Sequence, residues 1–291
     1  MKNRLLLLLG LWLPLHGFAQ KARIGFIPVG ALNVHYTQTG SGKPVLLLHA
    51  GFLDHRMWEP QTAALSAYHR VITIDLPGHG RTQGKDTTVQ VGTLISAVFD
   101  QLKVKQADVV GVSLGATCAL DFALTHPGRV RKLVLVSAGL SGWESRFPLD
   151  SLTRNYFPGL LDRLNRKDTA GAAEYFTRFW FDGPYRQPAG VDRAGRRYTY
   201  ETTLRAMQVH KISGWPRFST GSAIDRIDRL TLPVLLIDGD RDLPYILAVG
   251  EYLSKNLKNA RLIVLPGAGH MLNLEQPRRF SQEVLPFIDS R

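Results

Sequence analysis

The stretch Val109-Val110-Gly111-Val112-Ser113-Leu114-Gly115-Ala116 constrains this chain more than any other. A run of β-forming residues from Ala107 to Val112 stops at a serine bracketed by two glycines. A helix-like pattern then begins at Leu114 and runs through Cys118, Ala119, Leu120 and Phe122. This is G-x-S-x-G in strand–turn–helix context. A serine that must attack a carbonyl has to project from a tight turn, at the start of a helix whose free N–H groups can steady an oxyanion. Such a turn crowds the backbone on both sides, which favours residues without a Cβ two positions before and two after. Glycine supplies 27 of the 291 residues, so the motif can also arise by chance, and the rest of the chain has to decide.

Around this stretch the pattern is that of an α/β protein. Ile24 to Thr39 alternates like two short antiparallel strands closed by Gly40-Ser41-Gly42. Pro44 to His49 is an uninterrupted apolar run, as a strand covered on both faces requires, and it leads into Ala50-Gly51-Phe52-Leu53-Asp54. Val71 to Asp75 repeats the pattern and enters the turn Leu76 to Thr82. Val91, Leu94, Ile95, Val98, Phe99 and Leu102 then follow the spacing of one buried helical face. Further strands are expected at Lys132–Val136, Pro233–Asp238 and Arg261–Leu265, with helices near Leu247–Leu257 and Gln276–Ile288. The βαβα alternation predicts an open, mostly parallel sheet with helices on both faces.

Residues 1–19 read as an export signal. Lys2 and Arg4 form a positive start, Leu5 to Leu15 an apolar core too short to span a membrane comfortably, and Gly17-Phe18-Ala19 a small-x-small cleavage site. Cleavage would leave Gln20 first, no stable membrane insertion, and a periplasmic or extracellular product. Losing Lys2 and Arg4 removes two from the formal charge of +12, and the rest is spread without a long basic run. That distribution describes surface character and excludes a dedicated nucleic-acid site. The lone Cys118 excludes an internal disulfide.

The character changes over 141–230. Helical stretches are expected at Thr169–Phe181 and Tyr198–His210, no strand is evident, and over half of the chain's Phe, Trp and Tyr residues fall here. The reading is a helical lid between a first core part, 20–140, and a second, 231–291. A segment this small buries only part of its surface alone, so some of its aromatic area should face the sheet at the ligand-binding carboxyl ends of the strands. Phe52, Trp143, Trp180 and Phe181 are the expected walls of an apolar substrate pocket.

After Ser113 the chain offers an acid at the end of one strand and a histidine, His270, just past the next. Of three neighbouring carboxylates, Asp238 still belongs to its strand and Asp240 lies inside the turn, within reach of Arg241. Asp242, three residues after Gly239, is far enough out to meet a loop histidine. The order Ser, Asp, His, each at a strand's carboxyl end, is that of the α/β-hydrolase fold. The chain resembles that family from about residue 24 to 288. It does so at the loop after the third strand, the Asp75-x-x-Gly-x-Gly-x-Thr82 turn, the elbow at Ser113, Gly239-x-x-Asp242 and Gly267-x-Gly-His270. The resemblance implies an eight-stranded, mostly parallel sheet with a helical cap inserted after strand 6. Within the family the text around Leu48–Trp58 and the string Trp180-Phe181-Asp182-Gly183-Pro184 are similar to 3-oxoadipate enol-lactonase and its relatives.

The resemblance implies Ser113 as nucleophile, His270 as general base and then acid, and Asp242 as the group that orients the imidazole. It implies an oxyanion hole from the backbone N–H groups of Leu114 and Gly51. Relatives usually carry glycine after the loop histidine, where this chain has Ala50, and His49 reads as a structural loop residue. No metal and no cofactor are expected: the nine histidines form no H-E-x-x-H, and no G-x-G-x-x-G follows the first strand. Serine at the elbow argues against a dehalogenase or epoxide hydrolase, whose relatives carry aspartate there. The expectation is an exported serine hydrolase acting on a small-molecule carboxylic ester or lactone with an apolar part. Perhydrolysis, acyl transfer, C–C hydrolysis and aminopeptidase action would use the same triad, and a non-catalytic binding protein of this fold is a further alternative. The oligomeric state stays open.

Overall fold

In a computed structural model, residues 22–86, 88–210 and 215–290 are described. The export signal expected over 1–19 lies outside the described residues. Strands β1 (Arg23–Val29), β2 (Leu32–Thr39), β3 (Lys43–Leu48), β4 (His69–Ile74), β5 (Ala107–Val112), β6 (Val130–Val136), β7 (Val234–Gly239) and β8 (Ala260–Leu265) form one sheet among the described residues. Their order is β1-β2-β4-β3-β5-β6-β7-β8. β1 pairs with β2 and β2 with β4 antiparallel; every later pairing is parallel.

The continuous apolar runs have a direct cause. β5 sits centrally and is buried at every position, so both of its faces must be apolar. Period-two alternation then sends Leu46, Leu48, Val109 and Leu135 into one core and Val45, Leu47, Val110 and Val136 into the other. The first core is covered by α2 (Val91–Gln101), α3 (Leu114–Thr125) and α7 (Pro244–Asn256). The second holds Trp58, Phe280, Val284 and Ile288, from the residues before α1 (Glu59–Leu65) and from α9 (Pro277–Asp289). The short α8 (Leu272–Glu275) follows the His270 loop.

Between β6 and β7 the described residues contain helices and no strand. They are α4 (Ser151–Asn165), α5 (Thr169–Phe176) continuing into a π-helical turn (Thr177–Asp182), and α6 (Arg193–His210). The expected helix Thr169–Phe181 thus changes pitch after Phe176, and α6 begins five residues before the expected Tyr198. α4 was not expected, because Pro158 and Gly159 interrupt its pattern. A capping signal was nonetheless present: Asp150 accepts the Thr153 N–H at 3.0 Å, and Thr153, Tyr156 and Leu160 bury one face.

Side chains tie this segment to the sheet domain. Arg186, on the far side of the π turn, forms an ion pair with Glu275 of α8, and both side chains are largely buried. Tyr198 of α6 donates to Asp54 Oδ1 at 3.1 Å. Asp121 of α3 accepts the Ser219 hydroxyl and lies 3.6 Å from Arg226. No helix among the described residues is long and apolar enough to cross a membrane.

Candidate active site

Ser113 occupies the turn between β5 and α3 with φ 54° and ψ −114°, a strained conformation for a residue with a side chain. Its N–H donates to Val136 O at 2.9 Å and its carbonyl accepts the Thr117 N–H at 3.0 Å, so both flanking elements hold the strain in place. The two glycines are required by close approach. A Cβ on Gly115 would stand 2.1 Å from Leu48 O, and one on Gly111 would stand 2.2 Å from Gly115 O. The helix that starts at Leu114 is thereby pressed against the ends of β3 and β5, leaving Ser113 part-exposed at the top.

His270 follows β8, and Asp242 follows β7. The imidazole Nδ1 lies 2.9 Å from Asp242 Oδ2 and 3.0 Å from Oδ1, with both side chains buried. Asp242 Oδ1 also accepts the Leu243 N–H at 2.7 Å. An acidic partner on Nδ1 leaves Nε2 as the other nitrogen, and Nε2 is buried without a hydrogen-bond partner among the described residues. The Trp180 ring covers the imidazole, centroid to centroid 4.4 Å at 43°. The other two carboxylates stand apart from the histidine. Asp240 caps the Gly267 N–H at 2.7 Å and lies 3.7 Å from Arg241. Asp238 is buried in the sheet; desolvation, and then the Asp242 charge, push its carboxyl well above the usual range.

The loop after β3 is braced from beneath. His49 is fully buried, donates from Nδ1 to Ala50 O at 2.8 Å, and accepts the Leu76 N–H on Nε2 at 2.9 Å. Burial lowers its pKa, which keeps it neutral as that pattern requires. These contacts use both ring nitrogens in the loop fold. Asp75 takes N–H bonds from His55 and Arg81, each at 2.8 Å, and contacts His35 Nδ1 at 2.9 Å and His55 Nδ1 at 2.8 Å. Burial alone would raise its pKa, but the His35 and His55 imidazoles set against the carboxylate hold it well below the usual carboxylate range. His35, His55 and Asp75 bring their ligand atoms within 4.8 Å of one another. The carboxylate is already engaged by four nitrogen contacts, which makes the group a structural knot at the turn.

A cavity of about 470 Å³ opens over Ser113. Gly51, Phe52, Leu114, Trp180, Trp215 and Met271, the residue after His270, are among its lining residues. Among the described residues no hydrogen bond uses the Gly51 N–H, and the Leu114 N–H is the first of α3. Of the four expected pocket walls, Phe52 and Trp180 line the cavity; Trp143 and Phe181 do not. Phe181 is fully buried in the second core, and Trp143 packs with Phe147, Tyr245 and Tyr252 in the first. The reason is helical phase: consecutive residues of the π turn cannot point the same way, so Trp180 faces His270 while Phe181 turns inward. Trp215, Tyr156 and Met271 were missed as lining residues; Met271 was available from its position beside His270.

Comparison with known proteins gives the family. The chain is 30% identical over 275 residues to the 2-hydroxy-6-oxononadienedioate/2-hydroxy-6-oxononatrienedioate hydrolase of Burkholderia vietnamiensis, covering 88% of this chain and 91% of that protein. It is 25% identical over 244 residues to 3-oxoadipate enol-lactonase 1 of Acinetobacter baylyi, covering 81% and 85%. Its fold superposes on the crystal structure of the carboxylesterase CesB of Bacillus subtilis with a TM-score of 0.74 at 22% identity, covering 92% of each chain. The sequence profile described as alpha/beta hydrolase fold matches residues 43–277, and on that match, with the sheet order and the elbow, the chain belongs to the alpha/beta hydrolase family.

Proposed function

We propose that this hydrolase cleaves a carboxylic ester or lactone of an apolar small molecule through Ser113, His270 and Asp242. One observation carries the reading: a strained Ser113 lines one largely apolar cavity whose wall includes Met271 and Trp180, the chain neighbour and the ring cover of a His270 that Asp242 orients and whose Nε2 has no partner among the described residues. His270 Nε2 takes the Ser113 proton as Oγ attacks the carbonyl carbon, and the N–H groups of Leu114 and Gly51 receive the oxyanion. Collapse breaks the ester C–O bond; His270 returns the proton to the departing oxygen, leaving an acyl group on Ser113. Water then repeats the attack with His270 as base, releasing the carboxylic acid and regenerating serine. The helices of 141–230 act as a cap, since they supply Trp180, Tyr156 and Phe176 to the cavity while the reacting groups lie outside them.

Reaction with a fluorophosphonate, followed by peptide mapping, tests the nucleophile. Label on Ser113 that is lost in Ser113→Ala is the expected result, together with turnover in a panel of graded acyl esters, aryl esters, and small and macrocyclic lactones. Absence of both label and turnover refutes the reading. Export is part of the proposal: intact mass of protein from a secreting bacterial host should start at Gln20, and a retained full-length chain counts against it.

A second reading, a substrate that also bears a carboxylate, is favoured by Arg154. It lines the cavity, donates to Leu149 O at 2.9 Å, and has no carboxylate partner among the described residues. The relative from Burkholderia vietnamiensis is named for a dioate. An ω-carboxylated ester in the same panel decides: Arg154→Gln should raise its KM and leave that of the neutral ester unchanged.

A further inference from the structure

A second cavity, of about 400 Å³, shares no lining residue with the one over Ser113. Three elements meet at it. The 3-10 turn after β3 brings His55 and Arg56, the turn after β4 brings Arg81, and α6 brings Arg205 and His210. Asp54 is the one acidic residue in the lining, and it is already used: it takes Arg56 Nη2 at 2.7 Å, Arg56 Nε at 3.0 Å and the Tyr198 hydroxyl at 3.1 Å.

Arg81 and Arg205 are different. Neither side chain has a carboxylate, hydrogen-bond or ring partner among the described residues, although the Arg81 N–H is held by Asp75. Four other arginines around the helical segment are matched to acids: Arg178 and Arg196 to Asp182, Arg186 to Glu275, Arg226 to Asp121; Arg154, Arg193 and Arg197 have no ion pair among the described residues, but none of them lines this cavity. Two unmatched guanidinium groups lining one cavity repel each other, and an anion between them removes that repulsion. The planar fork of arginine suits the two oxygens of a carboxylate or phosphate, and the cavity is within the size range of small-ligand sites.

We propose that this cavity binds a small organic dianion, a phosphate monoester or a dicarboxylate, between Arg81 and Arg205. Because Arg81 belongs to the sheet domain and Arg205 to α6, the ligand bridges the two and fastens α6 to the core. The site is separate from the Ser113 chemistry and stands whether or not the ester reading does.

The test is calorimetric titration of the full chain with glycerol phosphate, inorganic phosphate and succinate, with acetate as a monoanion control. Repeating it on protein whose Ser113 is blocked by fluorophosphonate, or on Ser113→Ala, separates this site from the catalytic cavity. Saturable one-site binding with a Kd of about 1 mM or tighter is expected, weakening with ionic strength. Arg81→Gln/Arg205→Gln should weaken it at least about tenfold, the loss of charge-assisted bidentate contacts, while Arg154→Gln at the other cavity leaves it unchanged. A preference for phosphate or for succinate assigns the ligand class, and either preference upholds the site. Absence of saturable binding to all three anions overturns the proposal, and so does binding that the double variant leaves intact. Both arginines are exposed, and if the double variant fails to fold the two single variants carry the same test.

Discussion

Asp242 holds His270 with both carboxylate oxygens: the imidazole Nδ1 lies 2.9 Å from Oδ2 and 3.0 Å from Oδ1, in a site closed to solvent. Two acceptors on one nitrogen fix which ring nitrogen remains for chemistry, and they fix the ring plane as well. Asp242→Asn should therefore lower kcat by about 10³–10⁴, as loss of a triad acid does elsewhere. Asp240→Asn should stay within about tenfold of wild type, because its carboxylate serves the Gly267 N–H in a half-exposed turn. Asp238→Asn should also stay within about tenfold, since burial already favours the neutral acid at that position. Steady-state kinetics of the three variants at one pH ranks them. A larger loss at 238 or 240 than at 242 overturns the assignment.

The split between Trp180 and Phe181 predicts two different phenotypes for neighbouring residues. Trp180→Ala opens the cavity and uncovers His270, so the ratio of kcat/KM between long and short acyl substrates should change while the fold persists. Phe181→Ala empties a fully buried site and should cost about 3–5 kcal/mol of stability. Urea unfolding beside the substrate panel separates them; a specificity change confined to Phe181→Ala contradicts the orientation described.

Gly115→Ala tests the elbow itself. The added Cβ would meet Leu48 O at 2.1 Å, and a backbone carbonyl cannot move aside as a side-chain tip can. The variant should be destabilised by at least about 1–3 kcal/mol, the usual cost of overpacking, and should lose activity in the soluble fraction that folds. A variant with wild-type stability and rate means that helix α3 is less tightly seated than the contact requires.

Acid should destabilise the fold through two histidines other than His270. Burial lowers the His79 pKa to about 3, with the neighbouring His49 charge adding to the effect, and burial also lowers that of His49. A depressed folded-state pKa means that the neutral form is favoured in the native protein. Its contribution is complete above the unfolded value near 6.5 and is lost as pH falls from there toward 3. The Asp75 pKa is depressed further, so its contribution fades below about pH 4, once the unfolded carboxylate takes up a proton. Melting temperature should decline between about pH 6.5 and 4, before carboxylates dominate. His79→Phe should flatten that limb, because the ring then carries no titratable group. An unchanged slope assigns the acid limb to other groups.

How much was legible in the sequence follows from the range of the forces involved. β3, β5 and β7 were read to within a residue or two because a strand buried on both faces must be apolar throughout, a local pattern. The G-x-S-x-G turn was legible because a tight strand-to-helix turn leaves no room for a Cβ at its glycines, which here would meet Leu48 O and Gly115 O. Asp242 could be preferred over its two neighbours from its distance past the strand end. α4 was hidden by Pro158, since propensity argues against a helix that tertiary burial of Tyr156 and Leu160 sustains. Which aromatic faces the cavity depends on the pitch of the π turn after Phe176, and that pitch leaves no local signature. The pairing of Arg186 with Glu275 and the meeting of Arg81 and Arg205, neither side chain ion-paired among the described residues, at one cavity join residues far apart in the chain. Sequence by itself determined the sheet, the elbow and the places of Asp242 and His270 just past their strands, because each of these rests on residues close along the chain. Only the tertiary structure decided the cavity wall and the second, cationic cavity, because both depend on how the π turn settles against the His270 loop and α6 against the turn after β4, contacts between residues far apart in the chain.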